Sequence, residues 1–204
     1  MWIDITQTMK TGMPNWPGDT AFSFELAYTK QQTGSVNIGK IETSLHTGTH
    51  ADAPFHFNNN APTIEQLDVN IFIGDCVVMD CRGQEIITTS LLQSFDFQGV
   101  KRVLLKTVDA ISEQFPEVIP VIAADVAPFL HESGVVLLGV DNPSVDMLTS
   151  KELAAHHALY QHHIQIVEGL DLSRIDPGLY ELICLPLKIE GADGAPVRAV
   201  IRKK

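Results

Sequence analysis

Seven of the eight histidines fall into two short clusters, one between residues 46 and 56 and the other between residues 156 and 163. In the first cluster His46, His50 and His56 lie within eleven residues, and Asp52 stands among them. Imidazoles and a carboxylate without a thiolate suit Zn²⁺ or Mn²⁺ better than Cu(I) or an iron–sulfur cluster. So many such side chains in so short a segment predict a metal site.

The spacing within the first cluster restricts its backbone. In a straight strand His46 and His50 would lie about 13 Å apart, too far to share one ion. A helix would bring them together, but residues 47–49 read Thr-Gly-Thr and disfavour helix. The sequence therefore predicts a tight loop folded around an ion at the end of a strand, with Gly48 supplying backbone freedom and Pro54 stiffening the exit.

The second cluster offers ligands for a second ion. A helix followed by a strand can fold His156 or His157 back towards Glu168. Asp52 has two carboxylate oxygens and can bridge two ions, and a hydroxide held between two such ions is a strong nucleophile at neutral pH. Taken alone, the tandem His156-His157 is also typical of a solvated helix face, so this cluster is the weaker of the two.

The elements that must position these residues form an α/β pattern with more strand than helix. Alternating or continuous apolar runs predict strands at Val36–Ser44, Phe72–Asp80, Arg102–Val108, Val135–Val140, Ile164–Val167, Leu182–Ile189 and Val197–Ile201. Helices are predicted at Ile119–His131 and at Thr149–His163, the second with a capping box formed by Thr149 and Glu152.

Composition indicates one globular domain spanning residues 1–204, because 45% of the residues are hydrophobic and 19% are charged. The net charge of −11 disfavours nucleic acid and anionic membranes as partners. The longest apolar runs fall far short of the roughly 20 residues that span a bilayer, and no signal-peptide pattern is visible. Three cysteines without metal-site spacing fit reduced thiols, so we expect a cytoplasmic protein.

The first cluster also resembles a known family signature. Residues 46–56 read His-Thr-Gly-Thr-His-Ala-Asp-Ala-Pro-Phe-His and resemble the H-x-G-[TA]-H-x-D-x-P-x-H signature of the cyclase-like metal-dependent hydrolases. Within this family the sequence is most similar to the bacterial kynurenine formamidases (arylformamidases). The supporting segments are Trp16–Thr20, Ser35–Gly39, Gly139–Asp146, Ala155–Leu159 and Ile189–Arg198.

The resemblance implies a compact β/β/α (swivelling-type) domain with a mixed sheet, usually a homodimer with two divalent metal ions per subunit. Zn²⁺ is the default for such ligands and Mn²⁺ is the alternative. By the family pattern, the site residues are as follows: His46, His50 and Asp52 hold the first metal; Asp52, His156 and Glu168 hold the second; His56 is the catalytic acid/base; and Trp16 contacts the substrate. The family's Ala-His-x-x-Leu pattern selects His156 over His157.

The activity implied by the resemblance is hydrolysis of N-formyl-L-kynurenine to L-kynurenine and formate, a step of tryptophan breakdown. A metal-bridging hydroxide would attack the formyl carbon, and the ions would stabilise the developing oxyanion. An arylamine leaves poorly unless its nitrogen is protonated. His56 can take the proton from the nucleophile and then deliver it. The expected partner is therefore a small-molecule substrate.

Several alternatives remain open from the sequence. A related hydrolase of a lactam or small cyclic amide, such as an isatin hydrolase, is favoured by Glu168-Gly169-Leu170, a form common across the wider family. A metal-binding module without catalysis is disfavoured by His56, since binding alone needs no acid/base. Trp16 fits a hydrophobic plug under a loop as well as a substrate contact. Arg198 is expected either to meet a substrate carboxylate or to pair with Asp193, and neither residue is included in the predicted site.

Overall fold

Most strands of the computed structural model, which describes residues 1–204, belong to one curled mixed sheet. The strands are β1 (Trp2–Asp4), β2 (Ser23–Tyr28), β3 (Ile38–Glu42), β4 (His50–Asp52), β5 (Ile73–Asp80), β6 (Ile86–Ile87), β7 (Arg102–Lys106), β8 (Val121–Ile122), β9 (Leu137–Val140), β10 (Gln165–Glu168), β11 (Gly178–Ile183), β12 (Gly194–Pro196) and β13 (Val200–Lys203). Nine of them follow the order β1-β13-β11-β5-β7-β9-β10-β4-β12, and β2-β3 and β6-β8 form separate two-stranded sheets.

The centre of the large sheet is parallel and buried on both faces. Strands β5, β7, β9 and β10 pair in parallel. Along β5, Val78 lies in one apolar core and its neighbour Val77 lies in the core on the other face. Strands buried on both faces read as continuous apolar runs, which is why the sequence predicts these four strands to within a few residues. The flanking strands pair antiparallel, and β4 lies between β10 and β12.

The helices are short and pack mainly on one face of the sheet. They are α1 (Lys30–Thr33), α2 (Thr89–Leu92), α3 (Val126–Glu132) and α4 (Ala154–Gln161). Leu130 of α3 and Leu159 of α4 are buried in the same apolar core. The predicted α/β class, with more strand than helix, is confirmed. The longest helix, α4, has eight residues, and none of the helices has the length and apolar character that crossing a membrane requires.

The predicted helix over Thr149–His163 begins too early. Helix α4 starts at Ala154, and Leu153 before it has a left-handed backbone with φ 46° and ψ 52°. Residues Thr149–Glu152 lie outside the helix, so the predicted capping box does not form. The buried carboxylate of Asp146 instead accepts hydrogen bonds from two amides of the first helical turn. A cap supplied from outside the helix leaves no trace in a short-range pattern.

The predicted helix over Ile119–His131 is wrong in its first half. Val121–Ile122 form β8, which pairs with β6, and the helix begins only at Val126. Two β-branched residues after a proline favour an extended segment when a partner strand is available. The last two predicted strands are displaced along the chain: β11 ends at Ile183, before Pro186, and β13 begins at Val200. Proline cannot donate to a ladder, so Leu182–Ile189 does not continue as one strand.

Candidate metal centre and active site

The loop between β3 and β4 brings His46 back beside His50, as the spacing of the two histidines predicts. Gly48 has φ +66°, the left-handed region that favours glycine. The imidazole rings of His46 and His50 have centroids 5.0 Å apart. The hydroxyl of Thr49 donates a 2.6 Å hydrogen bond to the carbonyl of Gly169, so the loop is held against the end of β10.

The glycine after Glu168 is required by this contact. Gly169 has φ +66°, and a Cβ at this position would lie 2.2 Å from the carbonyl oxygen of Gly48. The side chain of Gln7 also donates to the Gly169 carbonyl. Packing is therefore a sufficient reason for a glycine at position 169.

The sheet register brings the ligand candidates of two neighbouring strands, β4 and β10, together. In the antiparallel pair β4–β10, His50 lies opposite Glu168. Asp52, two residues along β4, points to the same face because side chains alternate along a strand. On the other side of β4, Asp52 lies opposite Gly194 of β12. The conjunction of His50, Asp52 and Glu168 is thus a consequence of strand pairing.

Four of the predicted ligands form a cluster that water barely reaches. The relative exposures are 1% for His50 and Asp52, 3% for His156 and 4% for Glu168. Nε2 of His50 lies 3.3 Å from Oδ1 of Asp52 and 3.5 Å from Oε2 of Glu168. Nε2 of His156 lies 3.4 Å from Oδ2 of Asp52 and 3.7 Å from Oε1 of Glu168. Both rings thus turn one nitrogen towards the two carboxylates.

The polar atoms at the centre of this cluster fit divalent cations. Nε2 of His50 and Oδ2 of Asp52 are buried and have no hydrogen-bond partner. Burial and the charge of Asp52 raise the pKa of Glu168 well above its ordinary value. Burial would also raise the pKa of Asp52, but the nearby imidazoles of His156, His46 and His50 hold it well below the ordinary value. Two buried carboxylates facing each other with unpaired atoms need positive charge between them.

The predicted ligands fall into two groups that share Asp52, and a further group of possible ligands, His46, His56 and Asp193, lies beside them. The first group is His46, His50 and Asp52, and the second is Asp52, His156 and Glu168; within each group all ligand atoms lie within 4.8 Å of one another. His157 belongs to no such group, and its ring packs against Phe57 at a centroid distance of 5.3 Å. The structure therefore brings the five predicted ligands together and separates the two neighbouring histidines of α4.

His56 and Trp16 lie at the open side of this cluster. A cavity of about 230 Å³ is lined by Trp16, Asp19, His46, His56, Pro143, Ser144, Leu153, His156 and Glu168. The His56 side chain is 34% exposed, and its ring centroid lies 3.9 Å from that of His46. The indole of Trp16 is half-buried and makes an edge contact with Phe115 at 5.5 Å. A substrate in this cavity would touch His56 on the way to the buried carboxylates.

Three residues of the site have no role in the sequence prediction. Asp146 contacts Nδ1 of His156 at 2.7 Å, and Leu153 lines the cavity. Asp193 contacts His46 at 3.0 Å instead of pairing with Arg198, whose guanidinium donates to Asp4. Asp146 and Asp193 both lie in segments that resemble the family, yet neither has a spacing to the histidines that indicates contact.

Comparisons with known proteins identify the family of the chain. A profile of the family described as "Putative cyclase" matches residues 3–147. The Bacillus cytotoxicus protein named kynurenine formamidase is 50% identical over 202 residues, which cover 98% of this chain and 97% of that protein.

Solved structures share the fold. One described as a potential metal-dependent hydrolase with cyclase activity superposes with a TM-score of 0.86 at 26% identity, covering 100% of this chain and 99% of that chain. Isatin hydrolase A from Labrenzia aggregata superposes with a TM-score of 0.85 at 21% identity, covering 98% of this chain and 93% of that chain.

Proposed function

The chain belongs to the cyclase family, and we propose that it is a kynurenine formamidase, a hydrolase that converts N-formyl-L-kynurenine and water into L-kynurenine and formate. The observation that supports this substrate is the 50% identity to the Bacillus cytotoxicus kynurenine formamidase over 98% of the chain. The buried imidazoles and carboxylates support hydrolysis, because they form a donor set typical of metal-dependent hydrolases.

In this proposal two divalent cations occupy each subunit, with Zn²⁺ as the default and Mn²⁺ as the alternative. His46, His50 and Asp52 hold one cation, and Asp52, His156 and Glu168 hold the other. The support is geometric: each set of donor atoms lies within 4.8 Å, and Asp52 belongs to both sets. Bound cations of this kind would lower the pKa of a water and polarise the formyl oxygen.

We propose His56 as the acid/base. It lies beside the buried cluster but is itself 34% exposed, so it can reach both the cluster and a substrate in the cavity. We propose that His56 accepts a proton from the attacking water and then donates this proton to the aryl nitrogen as the carbon–nitrogen bond breaks. Protonation matters here because an anilide nitrogen is a poor leaving group, and a positioned acid/base contributes about 10²–10⁴-fold in rate.

Trp16 lines the same cavity as His56, which supports its role as a contact for the aromatic ring of the substrate. The residue is partly exposed, and its ring lies in a T-shaped arrangement with that of Phe115 at a centroid distance of 5.5 Å. We therefore propose that Trp16 covers the aryl ring while the formyl group lies over the buried carboxylates.

The test is hydrolysis of N-formyl-L-kynurenine and of isatin by the purified protein, before and after chelation and after readdition of Zn²⁺ or Mn²⁺. Turnover of the formamide that is lost on chelation and restored by metal is the expected result. A large preference for isatin would contradict the proposed substrate. A metal-loaded protein that turns over neither compound would favour a binding module.

We also propose that the enzyme is a cytoplasmic homodimer whose residues 1–204 form one domain. All three cysteines are free and buried, as in a reducing compartment. The β2–β3 hairpin supports a dimer: Phe24 and Leu26 lie on one face with exposures of 54% and 47%, and Ile41, with an exposure of 58%, lies opposite Phe24. An isolated hairpin is marginally stable in water, so its apolar face needs a cover.

A second copy of the chain is the cover that we propose, and light scattering tests it. The wild type should be a dimer, and Phe24→Ser with Leu26→Ser should shift it to the monomer. Glu25→Ser, on the opposite face of β2, is the matched control and should remain dimeric. A monomeric wild type at micromolar concentration would contradict the proposal.

A further inference from the structure

Asp193 joins two histidines that have different proposed tasks. Its Oδ2 lies 3.0 Å from Nε2 of His46 and 3.5 Å from Nδ1 of His56. Its carboxylate is 41% exposed and has no cationic partner among the lysines and arginines. One oxygen atom thus contacts both a candidate metal ligand and the candidate acid/base.

The backbone fixes where Asp193 stands. Its carbonyl accepts a 2.8 Å hydrogen bond from the amide of Ala53, and Gly194 lies opposite Asp52 in the β12–β4 ladder. Asp193 is therefore attached to the strand that carries two candidate ligands. Its backbone cannot move relative to them without breaking the ladder.

Gly194 provides the space that this arrangement needs. A Cβ at this position would lie 2.9 Å from Cε1 of His46 and 3.0 Å from the carbonyl oxygen of Ala51. The first distance is shorter than real Cβ contacts, and the backbone oxygen cannot give way easily. Asp193 and Gly194 together form a seat for the His46 ring. The carboxylate of Asp193 lies on one side of the ring, and the missing side chain of Gly194 leaves space beneath it.

The seat determines which nitrogen of His46 faces the metal cluster. The carboxylate of Asp193 contacts Nε2 of His46. Nδ1 of His46 lies 3.0 Å from Oδ1 of Asp52, on the side of the other ligands. The ring of His56 stacks on that of His46 with a centroid distance of 3.9 Å and an interplanar angle of 33°. Because Asp193 also contacts Nδ1 of His56, the opposite nitrogen of that ring remains available to the substrate.

We propose that Asp193 is a positioning residue that orients both His46 for metal binding and His56 for proton transfer, and that Gly194 is required for the seat. This inference rests on the proposed function for its kinetic part only. Carboxylates that hold the outer nitrogen of a ligating histidine fix its tautomer and orientation, and their loss costs about 10–100-fold in metal affinity or activity.

The test compares Asp193→Asn with Asp4→Asn. Asp4 is the control because it is 43% exposed, close to the 41% of Asp193, but its carboxylate accepts hydrogen bonds from Arg198 and contacts no histidine. We expect Asp193→Asn to lower Zn²⁺ affinity, measured by chelator competition, by about 10–100-fold. The same variant should lower kcat more than it raises KM, because the proposed contact between the substrate and Trp16 is retained. Asp4→Asn should change neither quantity.

Gly194→Ala provides a second variant, and it should also weaken Zn²⁺ binding because the new methyl group displaces the His46 ring. A measurement on the wild type needs no variant: ¹H–¹⁵N spectra of the metal-loaded protein should show His46 protonated at Nε2 and coordinated through Nδ1. The opposite tautomer would overturn the proposal, and so would Zn²⁺ affinity and kcat within about threefold of the wild type in Asp193→Asn.

These outcomes separate this proposal from the proposed function. A wild type that binds Zn²⁺ but does not hydrolyse N-formyl-L-kynurenine would contradict the function, while the affinity and tautomer measurements would still decide the role of Asp193. A wild type that binds no divalent cation would overturn both.

Discussion

Oδ2 of Asp146 lies 2.7 Å from Nδ1 of His156, and this contact determines which nitrogen of His156 faces the buried carboxylates. The same carboxylate accepts hydrogen bonds from the amides of Ala155 and His156, so it also caps the first turn of α4. One buried side chain thus fixes both the start of a helix and the orientation of a candidate ligand on that helix.

Replacing Asp146 should therefore affect metal binding and stability together. For Asp146→Ala we expect Zn²⁺ affinity to fall by about 10–100-fold, because His156 loses the partner that holds its ring. The free energy of unfolding of the metal-free protein should fall by about 1 kcal/mol or more, since two helix amides lose their acceptor. Chelator competition and urea unfolding measure the two effects.

Asp125→Ala is the control for this prediction. Asp125 stands at the start of α3, but its side chain makes no capping hydrogen bond. Its replacement should leave metal affinity unchanged and should alter stability by less than Asp146→Ala does. Equal effects of the two substitutions would contradict the role of Asp146.

His56→Ala should abolish most of the activity and leave metal binding intact. The ring of His56 belongs to neither deep ligand group, so the protein should keep its Zn²⁺ content. The loss of a positioned acid/base should lower kcat by about 10²–10⁴-fold. Steady-state kinetics and elemental analysis check the two parts.

His157→Ala is the matched control for His56→Ala. His157 stands next to a candidate ligand on α4, but its ring packs against Phe57 and joins no ligand group. Its replacement should keep kcat within about threefold of the wild type, well below an acid/base effect. If instead His56→Ala stays within that range, the acid/base assignment is wrong.

The core of the fold could be predicted because its strands carry a local signal. The apolar runs of β5, β7 and β9 follow from burial on both faces, and this property is visible in any window of the sequence. The β2–β3 hairpin shows the opposite case. Phe24, Leu26 and Tyr28 alternate like a buried face, yet they lie exposed in the single chain. An alternating pattern of this kind therefore does not predict whether a face is buried within the chain.

The candidate ligands could be predicted for a similar reason, while their supporting residues could not. His46, His50 and Asp52 stand close together in the sequence, so a shared role in metal binding can be predicted from the sequence alone. Asp193 lies 147 residues from His46, and its contact with that ring arises from the β12–β4 ladder. Asp146 caps α4, whereas the sequence predicts the cap at Thr149. Roles that depend on tertiary pairing have no spacing rule.

Metal binding should release protons at neutral pH. Burial alone would lower the pKa of His46, but hydrogen bonds with Asp193 and Asp52 outweigh it and raise the pKa to about 10. Burial likewise opposes the contacts of His156 with Asp146 and Asp52, which raise its pKa to about 10. Both rings should therefore be protonated in the metal-free protein at pH 7.5. Since a cation binds the unprotonated nitrogen, occupancy of both sites should release a proton from each ring, in addition to any proton held by Glu168.

Calorimetry in two buffers with different ionisation enthalpies measures this proton release. Stability gives an independent check with a definite sign. Both pKa values are raised above the unfolded value of 6.5, so the stability that these two groups contribute is complete below pH 6.5 and is lost as pH rises through about 10. The urea midpoint of metal-free protein should fall between pH 7 and 10. A flat midpoint together with no proton release would contradict the prediction.

Leu153 combines a strained backbone with a place in the cavity wall. Its φ of 46° and ψ of 52° are left-handed, which costs a branched residue about 1–2 kcal/mol. Hydrogen bonds on both sides hold this conformation: its amide donates to the hydroxyl of Ser150, and its carbonyl accepts from the amide of His157. The side chain lines the cavity together with Trp16. Strain at such a position points to a functional constraint.

Leu153→Gly should therefore raise KM for N-formyl-L-kynurenine while leaving the protein at least as stable as Leu153→Ala. Glycine relieves the strain, whereas alanine keeps it, and both variants remove the apolar wall. Loss of part of a leucine contact is worth about 1.4 kcal/mol, or tenfold in KM. His163→Gly is the control, because His163 has φ 58° and does not line this cavity. The His163→Gly variant should relieve strain without changing KM. An unchanged KM in both Leu153 variants would contradict a role of Leu153 in substrate binding and would show that its left-handed conformation serves only the start of α4.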